Sequence, residues 1–198
     1  SGTDRVAEVA ASLSSELVVN IQGDEPLIEP AMIDEAVAPF FVEADLVMGT
    51  VCRRLEAEDE SHSPHVVKVV RDCRGFALYF SRAPIPYHRG LRTEVRGPRS
   101  GVEGEGDAQS SVLGPQPLYY KHIGLYVYRR DFLLELARLA PTPLEEAEQL
   151  EQLRALEYGY PIRVVETKYD SIGVDTPEDL ARIERMVAAT GWGEAGDA

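Results

Sequence analysis

The 198-residue sequence predicts an α/β fold with a mixed, mostly parallel sheet that is flanked by helices and carries a hairpin-containing subdomain. Short apolar, β-branched runs alternate with segments of helical periodicity, an order typical of parallel sheets. Two further runs, at 66–71 and 76–80, flank a turn-rich gap at 72–75 and predict a β-hairpin. The length suits one domain with a sizeable core, and we assign residues 1–190 to it.

Each predicted element depends on its own local pattern. Apolar residues recur with helical spacing in several segments, and one of these begins at Pro30, a residue that suits the first turn of a helix. We therefore predict helices at 6–13, 30–41, 131–139, 143–157 and 177–188. Apolar runs bounded by polar turn residues predict strands, besides the hairpin, at 17–21, 45–51, 119–129 and 162–166.

Two segments lack the pattern of a packed element. Between 89 and 117, Gly and Ser are frequent, acidic residues are scattered and no apolar period is present, so we predict a flexible loop. Residues 191–198 give little reason to pack, and we predict a disordered tail there. The chain starts at Ser1, directly before helix-like sequence. Two interpretations of this start stay open: processing of the chain, or a missing N-terminal portion.

The net charge of −14 argues against a nucleic acid polymer as partner, because binding to its phosphates needs a basic face. No run approaches the roughly 18 apolar residues of a membrane span, and no signal peptide pattern is present, so we predict no membrane partner and a cytoplasmic location. A small anionic substrate remains compatible with this charge, since carboxylates can first recruit a divalent metal ion.

Residues 18–26, Val-Val-Asn-Ile-Gln-Gly-Asp-Glu-Pro, form the most informative segment. An apolar strand that ends at Gly23 allows a sharp turn, after which Asp24 can offer a carboxylate to a metal ion. The alternative is an ordinary turn at a strand end with a solvated Asp. In open α/β sheets ligands bind beyond the carboxyl ends of the strands, and the acidic segments at Asp24 and Asp175 both lie at that edge in the predicted fold.

The 18–26 segment resembles the strand and loop of the cytidylyltransferases that activate 3-deoxy-manno-octulosonate (Kdo) and sialic acid, and its Gln-Gly-Asp-Glu-Pro resembles the Kdo branch most. Similar motifs occur along the rest of the chain in the family's order, and nearly every segment except the Gly-rich loop and the tail is covered. They are Ser-Gly-Thr-Asp-Arg at 1–5, Val-Lys-Val-Val at 67–70, Ala-Leu-Tyr-Phe-Ser-Arg at 77–82, His-Ile-Gly-Leu-Tyr at 122–126, Leu-Glu-Gln-Leu-Arg at 150–154 and Gly-Val-Asp-Thr-Pro-Glu-Asp at 173–179. The resemblance implies a Rossmann-like nucleotidyltransferase.

The resemblance also implies roles for individual residues. Asp24 and Asp175 are the carboxylates expected to hold the catalytic Mg²⁺. The residues expected to line the sugar-acid site are Arg5, Gln22, Arg82, His122, Tyr126, Glu151 and Gln152. Cations suit the acid group of such a substrate, and amide and carboxylate groups suit its hydroxyls.

Each of these residues also has a structural alternative. Asp175 precedes Thr176, a good helix N-cap, so it can serve the start of a helix. His122 can be a hydrogen-bonded core histidine, and Arg82 a surface cation. Tyr126 is one of nine tyrosines, and Glu151 and Gln152 can belong to a solvated helix face.

The implied reaction is nucleotidyl transfer from CTP to Kdo, which forms CMP-Kdo for lipopolysaccharide biosynthesis and releases pyrophosphate. The family's basic, Gly/Ser-containing loop for the triphosphate is absent from this sequence, so we expect weak CTP binding by this chain alone and recovery with an upstream segment. Two alternatives stay open: a sialic acid-type cytidylyltransferase, and a non-catalytic sugar-acid-binding or dimerisation module. A homodimer is expected from the resemblance.

Overall fold

The computed structural model of the chain describes residues 2–55, 58–89, 119–174 and 176–190. Its helices are α1 (Gly2–Ala11), α2 (Pro30–Val37), α3 (Glu58–His62), α4 (Arg130–Leu136), α5 (Pro143–Glu148), α6 (Gln152–Glu157) and α7 (Pro177–Thr190), and a 3-10 helix spans Ala38–Phe41. Its strands are β1 (Leu17–Ile21), β2 (Met48–Arg54), β3 (Lys68–Arg71), β4 (Ala77–Ser81), β5 (Tyr120–Arg129) and β6 (Ile162–Thr167). The predicted α/β class is confirmed.

The strands of the described ranges form one mixed six-stranded sheet with β5 inside it. One edge of β5 pairs with β2, and β2 pairs in turn with β6. The other edge of β5 is shared, because β1 pairs with its second half and β3 pairs with it at Lys121. The chain that leaves the end of β1 therefore passes beside the middle of β5, which is the position of the cleft described below.

The prediction of a mostly parallel sheet needs correction. β1, β2, β3 and β6 do run in one direction, but β5 lies between β1 and β2 and runs against both. Among the described strands only β2 and β6 form a parallel pair. The sequence pattern has no predicted crossover helix before β5, and without such a helix a strand is not constrained to run parallel.

The predicted hairpin is confirmed by the antiparallel pairing of β3 with β4. Its turn is organised by the Asp72 carboxylate, which accepts the backbone N–H groups of Arg74 (2.9 Å) and Phe76 (2.8 Å). Gly75 has a φ of 84°, a left-handed conformation that favours glycine. Asp72 and Gly75, two of the residues that predicted the turn, are thus the ones that stabilise it in the structure.

Apolar side chains cover both faces of the sheet. One buried cluster contains Tyr126, Phe132 and Leu153 and packs α4 and α6 on the first face. A second cluster contains Met32 and Ile123 and packs α2 on the other face. Successive side chains of a strand point to opposite faces, so the apolar run of β5 contributes to both clusters. The polar cleft begins where this apolar cover ends.

The single helix predicted at 143–157 is wrong, because the chain forms two short helices, α5 and α6, with a break between them. Gln149 stands in the break with a φ of 55°, the left-handed conformation that usually marks a helix end. Its side-chain amide donates to Glu146 O at 2.7 Å, and the backbone N–H of Leu150 donates to Glu145 O at 3.2 Å. No Gly or Pro announces this break in the sequence.

Several other predictions are refined or untested. The helix predicted at 30–41 is α2 followed by the 3-10 helix, and the short α3 was not predicted. The predicted flexible loop lies outside the described residues from position 90 onward, and so does the predicted tail at 191–198. Within the described ranges, no helix combines the length and the apolar character that crossing a membrane requires.

Candidate active site

A cleft of about 1020 Å³ opens where β1 ends beside the middle of β5. The start of α1, the loop after β1, the α5–α6 break and the segment after β6 form its walls. Most of the predicted site residues line this cleft. They are Gln22, Asp24, Arg82, His122, Tyr126, Glu151 and Gln152. Asp175 lies outside the described residues, so its predicted role stays a prediction.

The loop after β1 carries Asp24 to the rim of the cleft. Gln22 donates its backbone N–H to Gly124 O at 3.0 Å, which extends the β1–β5 pairing by one residue. The N–H of Glu25 then donates to Gln22 O at 3.1 Å and closes a turn, in which the Asp24 side chain is exposed. Val174 donates its N–H to Asp24 O at 2.8 Å, so the segment after β6 meets this turn.

Glu25 was not predicted as a site residue, yet its carboxylate joins three parts of the cleft. One oxygen accepts the backbone N–H of Gly124 at 3.2 Å, and the other accepts the Ser171 hydroxyl. The carboxylate thereby ties the β1 loop to β5 and to the segment after β6. The signal available in the sequence was the Asp-Glu pair itself, of which only Asp24 was assigned a role.

Gly124 leaves the space that the Gln22 side chain occupies. A Cβ atom at position 124 would lie 2.7 Å from Gln22 Oε1 and 3.1 Å from its Cδ. The absence of a side chain on β5 thus lets the Gln22 amide lie across the strand in the cleft.

Replacing Gly124 by Ala should displace the Gln22 amide. If the cleft binds the sugar acid that the motifs imply, the KM for that acid should rise about tenfold, the equivalent of one lost hydrogen bond. Steady-state kinetics measure this, and Gly23→Ala, whose Cβ would meet nothing within 4 Å, is the matched control for thermal stability. In a Gln22→Ala background Gly124→Ala should add no further effect. Additive effects would contradict this account of Gly124.

His122 lies on β5 at the floor of the cleft and is 8% exposed. Its Nε2 is 2.9 Å from the hydroxyl of Thr50 on β2, and its ring centroid lies 5.0 Å from Phe80 and 5.3 Å from Tyr126. Burial among these rings lowers the pKa of His122 to about 3, and burial raises the pKa of Tyr126 well above its usual value. Both side chains are therefore neutral hydrogen-bonding groups near pH 7.

The low pKa of His122 predicts acid sensitivity. The unfolded chain binds a proton at His122 below about pH 6.5, whereas the folded chain resists protonation until about pH 3, so stability falls as the pH drops between these values. From pH 7 to pH 4.5 His122 should lower the free energy of unfolding by about 2.5 kcal/mol. Urea denaturation at both pH values measures this, and the loss should shrink by that amount in His122→Gln. An equal loss in both proteins would contradict the prediction.

Arg82, at the end of β4, is held by backbone oxygens of two neighbouring segments. Its Nε donates to Glu148 O and its Nη1 to Pro64 O, both at 3.0 Å. The Glu148 carboxylate accepts the backbone N–H of Arg82 (2.9 Å) and the hydroxyl of Ser81 (2.6 Å). The end of α5 therefore fixes the position of this cation at the cleft.

Lys68 contacts the backbone of Arg82 and so helps to fix the same part of the cleft wall. The sequence did not predict this role, because a lysine within an apolar strand is expected to be exposed. Lys68 is fully buried, and its ammonium group donates to the backbone oxygens of Ser63 (2.8 Å), Val66 (2.6 Å) and Arg82. Burial lowers its pKa to about 8. With three acceptors for three N–H bonds, Lys68 joins the segment before β3 to the end of β4.

Glu151 and Gln152 follow the helix break and differ in their surroundings. The Glu151 carboxylate accepts the backbone N–H groups of Gly2 and Thr3, each at 3.0 Å, so it caps the N-terminus of α1. Gln152 is 4% exposed, and its Nε2 is buried without a hydrogen-bond partner in the described part of the chain. Buried polar groups in proteins are almost always hydrogen-bonded. We therefore expect the Gln152 amide to donate to a ligand or a water molecule in the cleft.

The comparison with known proteins decides the family. A family model described as Cytidylyltransferase matches residues 1–168. The 3-deoxy-manno-octulosonate cytidylyltransferase of Geobacter metallireducens is 56% identical over 182 residues, which cover 92% of this chain and 67% of that protein. The protein of the same name from Geotalea uraniireducens is 53% identical over 186 residues, 93% of this chain and 69% of that protein. The chain belongs to the 3-deoxy-manno-octulosonate cytidylyltransferase family.

Solved structures agree with this family and with the fold. A CMP:2-keto-3-deoxy-manno-octonic acid synthetase in complex with CTP matches with a TM-score of 0.79 at 34% identity, over 96% of this chain and 69% of that one. The inositol-1-phosphate CTP transferase from T. maritima, 13% identical, matches with a TM-score of 0.52 over 94% of this chain and 61% of that one, and supports the fold alone. The predicted Rossmann-like nucleotidyltransferase fold is confirmed.

Two features of this cytidylyltransferase differ from the site implied by its motifs. Arg5 does not line the cleft: its side chain is 85% exposed and lies 3.7 Å from Glu8, one turn along α1. Lys121, which was not predicted, does line the cleft and donates to Ser171 O at 2.5 Å and to Asp170 at 3.4 Å. It is therefore a cation of the cleft that sequence reasoning overlooked.

The expected Mg²⁺ can be tested against the donors present. Asp24 offers an exposed carboxylate at the rim of the cleft, a hard oxygen ligand of the kind that Mg²⁺ prefers. In the described ranges no group of three or more His, Cys, Asp or Glu residues is arranged to hold a metal ion. Mg²⁺ is usually held by one or two carboxylates together with substrate phosphates, which needs no such group, so the donor set fits this ion.

Proposed function

We propose that the full gene product containing this chain forms CMP-Kdo from CTP and Kdo with release of pyrophosphate, and that Mg²⁺ is required. The observation that carries the proposal is that one cleft is lined by the exposed Asp24 carboxylate, by the neutral imidazole of His122 and by the cations of Arg82 and Lys121. The two relatives named above add independent support, since they carry the name of this activity and are 56% and 53% identical to the chain.

The polar side chains of the cleft suit a polyhydroxylated acid. Arg82 and Lys121 are cations that can bind a carboxylate, and Gln22 and Gln152 supply amides for hydroxyls. Gln152 supports this role most directly, because its buried Nε2 lacks a partner among the described residues. The sugar acid in this proposal lies over β5, between the α5–α6 break and the loop after β1.

The residues of the cleft would contribute to the reaction by positioning the two substrates and by helping to compensate the charge of the phosphates. The anomeric hydroxyl of Kdo attacks the α-phosphorus of CTP, a new P–O bond forms, the bond to the β-phosphate oxygen breaks, and the hydroxyl proton passes to solvent. Asp24 and Asp175 would hold Mg²⁺, which when bound neutralises phosphate charge and lowers the pKa of the attacking hydroxyl. The cations of the cleft orient the acid group, while buried His122 and Tyr126 exclude water beneath it.

The identity of the sugar acid separates this proposal from its nearest alternative. We expect ³¹P NMR of the full gene product with CTP and Mg²⁺ to show a phosphodiester signal and pyrophosphate with Kdo, and unchanged CTP with sialic acid. A product with sialic acid alone would assign the chain to the sialic acid-type enzymes. Kdo binding without any product would support a non-catalytic sugar-acid-binding module.

The oligomeric state and the cellular location of the enzyme are also proposed. We infer a homodimer, supported by the adjacent apolar side chains of Phe41 and Val42, which are 79% and 83% exposed. Analytical ultracentrifugation tests this, and a monomer at micromolar concentration would contradict it. We also infer a cytoplasmic location, supported by CTP as the nucleotide substrate, which fractionation of cells tests.

A further inference from the structure

Thr50 on β2 contacts the floor of the cleft from below. It is completely buried, and its hydroxyl oxygen lies 2.7 Å from Leu125 O and 2.9 Å from His122 Nε2. Ile123 O is a weaker neighbour at 3.5 Å. The hydroxyl therefore stands between a backbone acceptor of β5 and the ring of a residue that lines the cleft.

This position comes from an irregularity in the sheet. The β2–β5 register shifts between Thr50, which faces Tyr126, and Val51, which faces Ile123, so β5 has extra residues at Gly124 and Leu125. Such a bulge disturbs the regular ladder of backbone hydrogen bonds. The Thr50 side chain supplies a hydrogen bond to a β5 carbonyl at the point of the shift.

The positions of the hydrogens follow from the distances. A carbonyl oxygen cannot donate, so the 2.7 Å contact between Thr50 Oγ1 and Leu125 O requires the hydroxyl hydrogen of Thr50. That hydrogen is the only one the hydroxyl has. The 2.9 Å contact with His122 must then be a hydrogen bond that Nε2–H donates to Thr50 Oγ1. In a neutral imidazole this leaves Nδ1 as an acceptor.

We propose that Thr50 is a positioning residue that holds His122 in its Nε2–H tautomer, so that Nδ1 accepts a hydrogen bond from a hydroxyl of the substrate. The inference about the substrate rests on the proposed function, whereas the tautomer does not. Within the described ranges Nδ1 has no hydrogen-bond partner. An acceptor at this point selects ligand groups that carry a hydrogen, such as a sugar hydroxyl, over ether or carboxylate oxygens, which would oppose its lone pair.

The tautomer is measured directly by ¹H–¹⁵N NMR of the imidazole nitrogens in the ligand-free protein. The chain has four histidines, and His122→Gln identifies the signals of His122 by their loss. We expect a pyrrole-type Nε2 and a pyridine-type Nδ1 at pH 7. An Nδ1–H tautomer, an equal mixture of tautomers or an imidazolium would overturn the proposal.

The functional role is tested with Thr50→Val and Thr50→Ser. Valine keeps the shape and removes the hydroxyl, so we expect a mixture of tautomers and a KM for Kdo raised about tenfold with kcat nearly unchanged. Serine restores the hydroxyl and should restore both the tautomer and the KM. An unchanged KM in Thr50→Val, or a failure of serine to restore it, would overturn the role of Thr50.

The two readouts separate this inference from the proposed function. If wild-type protein has the Nε2–H tautomer but makes no CMP-Kdo, the proposed function fails and the assignment of the tautomer stands. If Thr50→Val does not fold, the wild-type spectrum together with the Thr50→Ser kinetics still decides, because a serine variant with an altered tautomer or KM contradicts the proposal.

Discussion

Asp24→Asn should lower kcat for CMP-Kdo formation by about 10³-fold, the largest effect that any single substitution in the cleft is expected to have. Asn keeps the size of the side chain and removes the negative charge that, in the proposed site, holds Mg²⁺. Without that ion the charge of the triphosphate would be left uncompensated. The turn itself should survive, because its hydrogen bonds use the backbone of Gln22, Glu25 and Val174 rather than the Asp24 side chain. A pyrophosphate-release assay over a range of Mg²⁺ concentrations measures the loss.

Asp34→Asn is the matched control for this substitution. Asp34 is an exposed acid on α2 that does not line the cleft, so the same loss of one charge there should leave kcat unchanged. Thermal denaturation should be the same for the wild type and both variants. Activity of Asp24→Asn within threefold of wild type would mean that this carboxylate does not hold the metal ion.

Arg154→Met should lower the free energy of unfolding by about 3–5 kcal/mol, the largest stability effect that we expect. Arg154 on α6 donates Nε to Glu145 Oε2 at 2.8 Å and Nη2 to Oε1 at 2.5 Å, and both residues are less than 10% exposed. Methionine fills much of the volume but leaves the Glu145 carboxylate buried without its cation. Urea denaturation at pH 7 measures the difference.

Two variants make this stability prediction specific. Arg5→Met removes an arginine of an exposed ion pair on α1 and should change the free energy of unfolding by less than about 1 kcal/mol. In the double variant Glu145→Gln/Arg154→Met the buried charge is also gone, so part of the stability should return. Equal destabilisation by Arg5→Met and Arg154→Met would contradict the assignment of the buried pair.

The Arg154–Glu145 pair also bears on function, because it joins the two helices that meet at the cleft. Glu148, which orients Arg82, ends α5, and Gln152 begins α6. Loosening of the α5–α6 break should therefore raise the KM for the sugar acid in Arg154→Met, even under conditions in which the variant is fully folded.

The parts of the site that could be predicted from sequence are those encoded by local patterns. The apolar run at 17–21 is β1 with the predicted bounds, and the turn that follows it carries Asp24 to the cleft. The family motifs identified His122 and Gln152 as site residues. Both are buried, so the apolar periodicity of the sequence alone would have placed them in the core.

The parts that could not be predicted depend on contacts between distant segments. Nothing near Gln149 in the sequence indicates a left-handed residue, since the break is stabilised by the Glu145–Arg154 pair and by local backbone hydrogen bonds. Thr50 and Glu25 act through β5, more than 70 residues away along the chain. The position of β5 between β1 and β2 and its antiparallel direction likewise depend on the tertiary structure, because the apolar pattern of a strand does not specify its neighbours or its direction.

The most direct test of the central claim is a pyrophosphate-release assay with CTP, Mg²⁺ and Kdo on the full gene product that contains this chain. We predict release only when all three are present, and its loss in Asp24→Asn. Release without Kdo, or none with all three present, would contradict the assignment of the cleft as the site of CMP-Kdo formation.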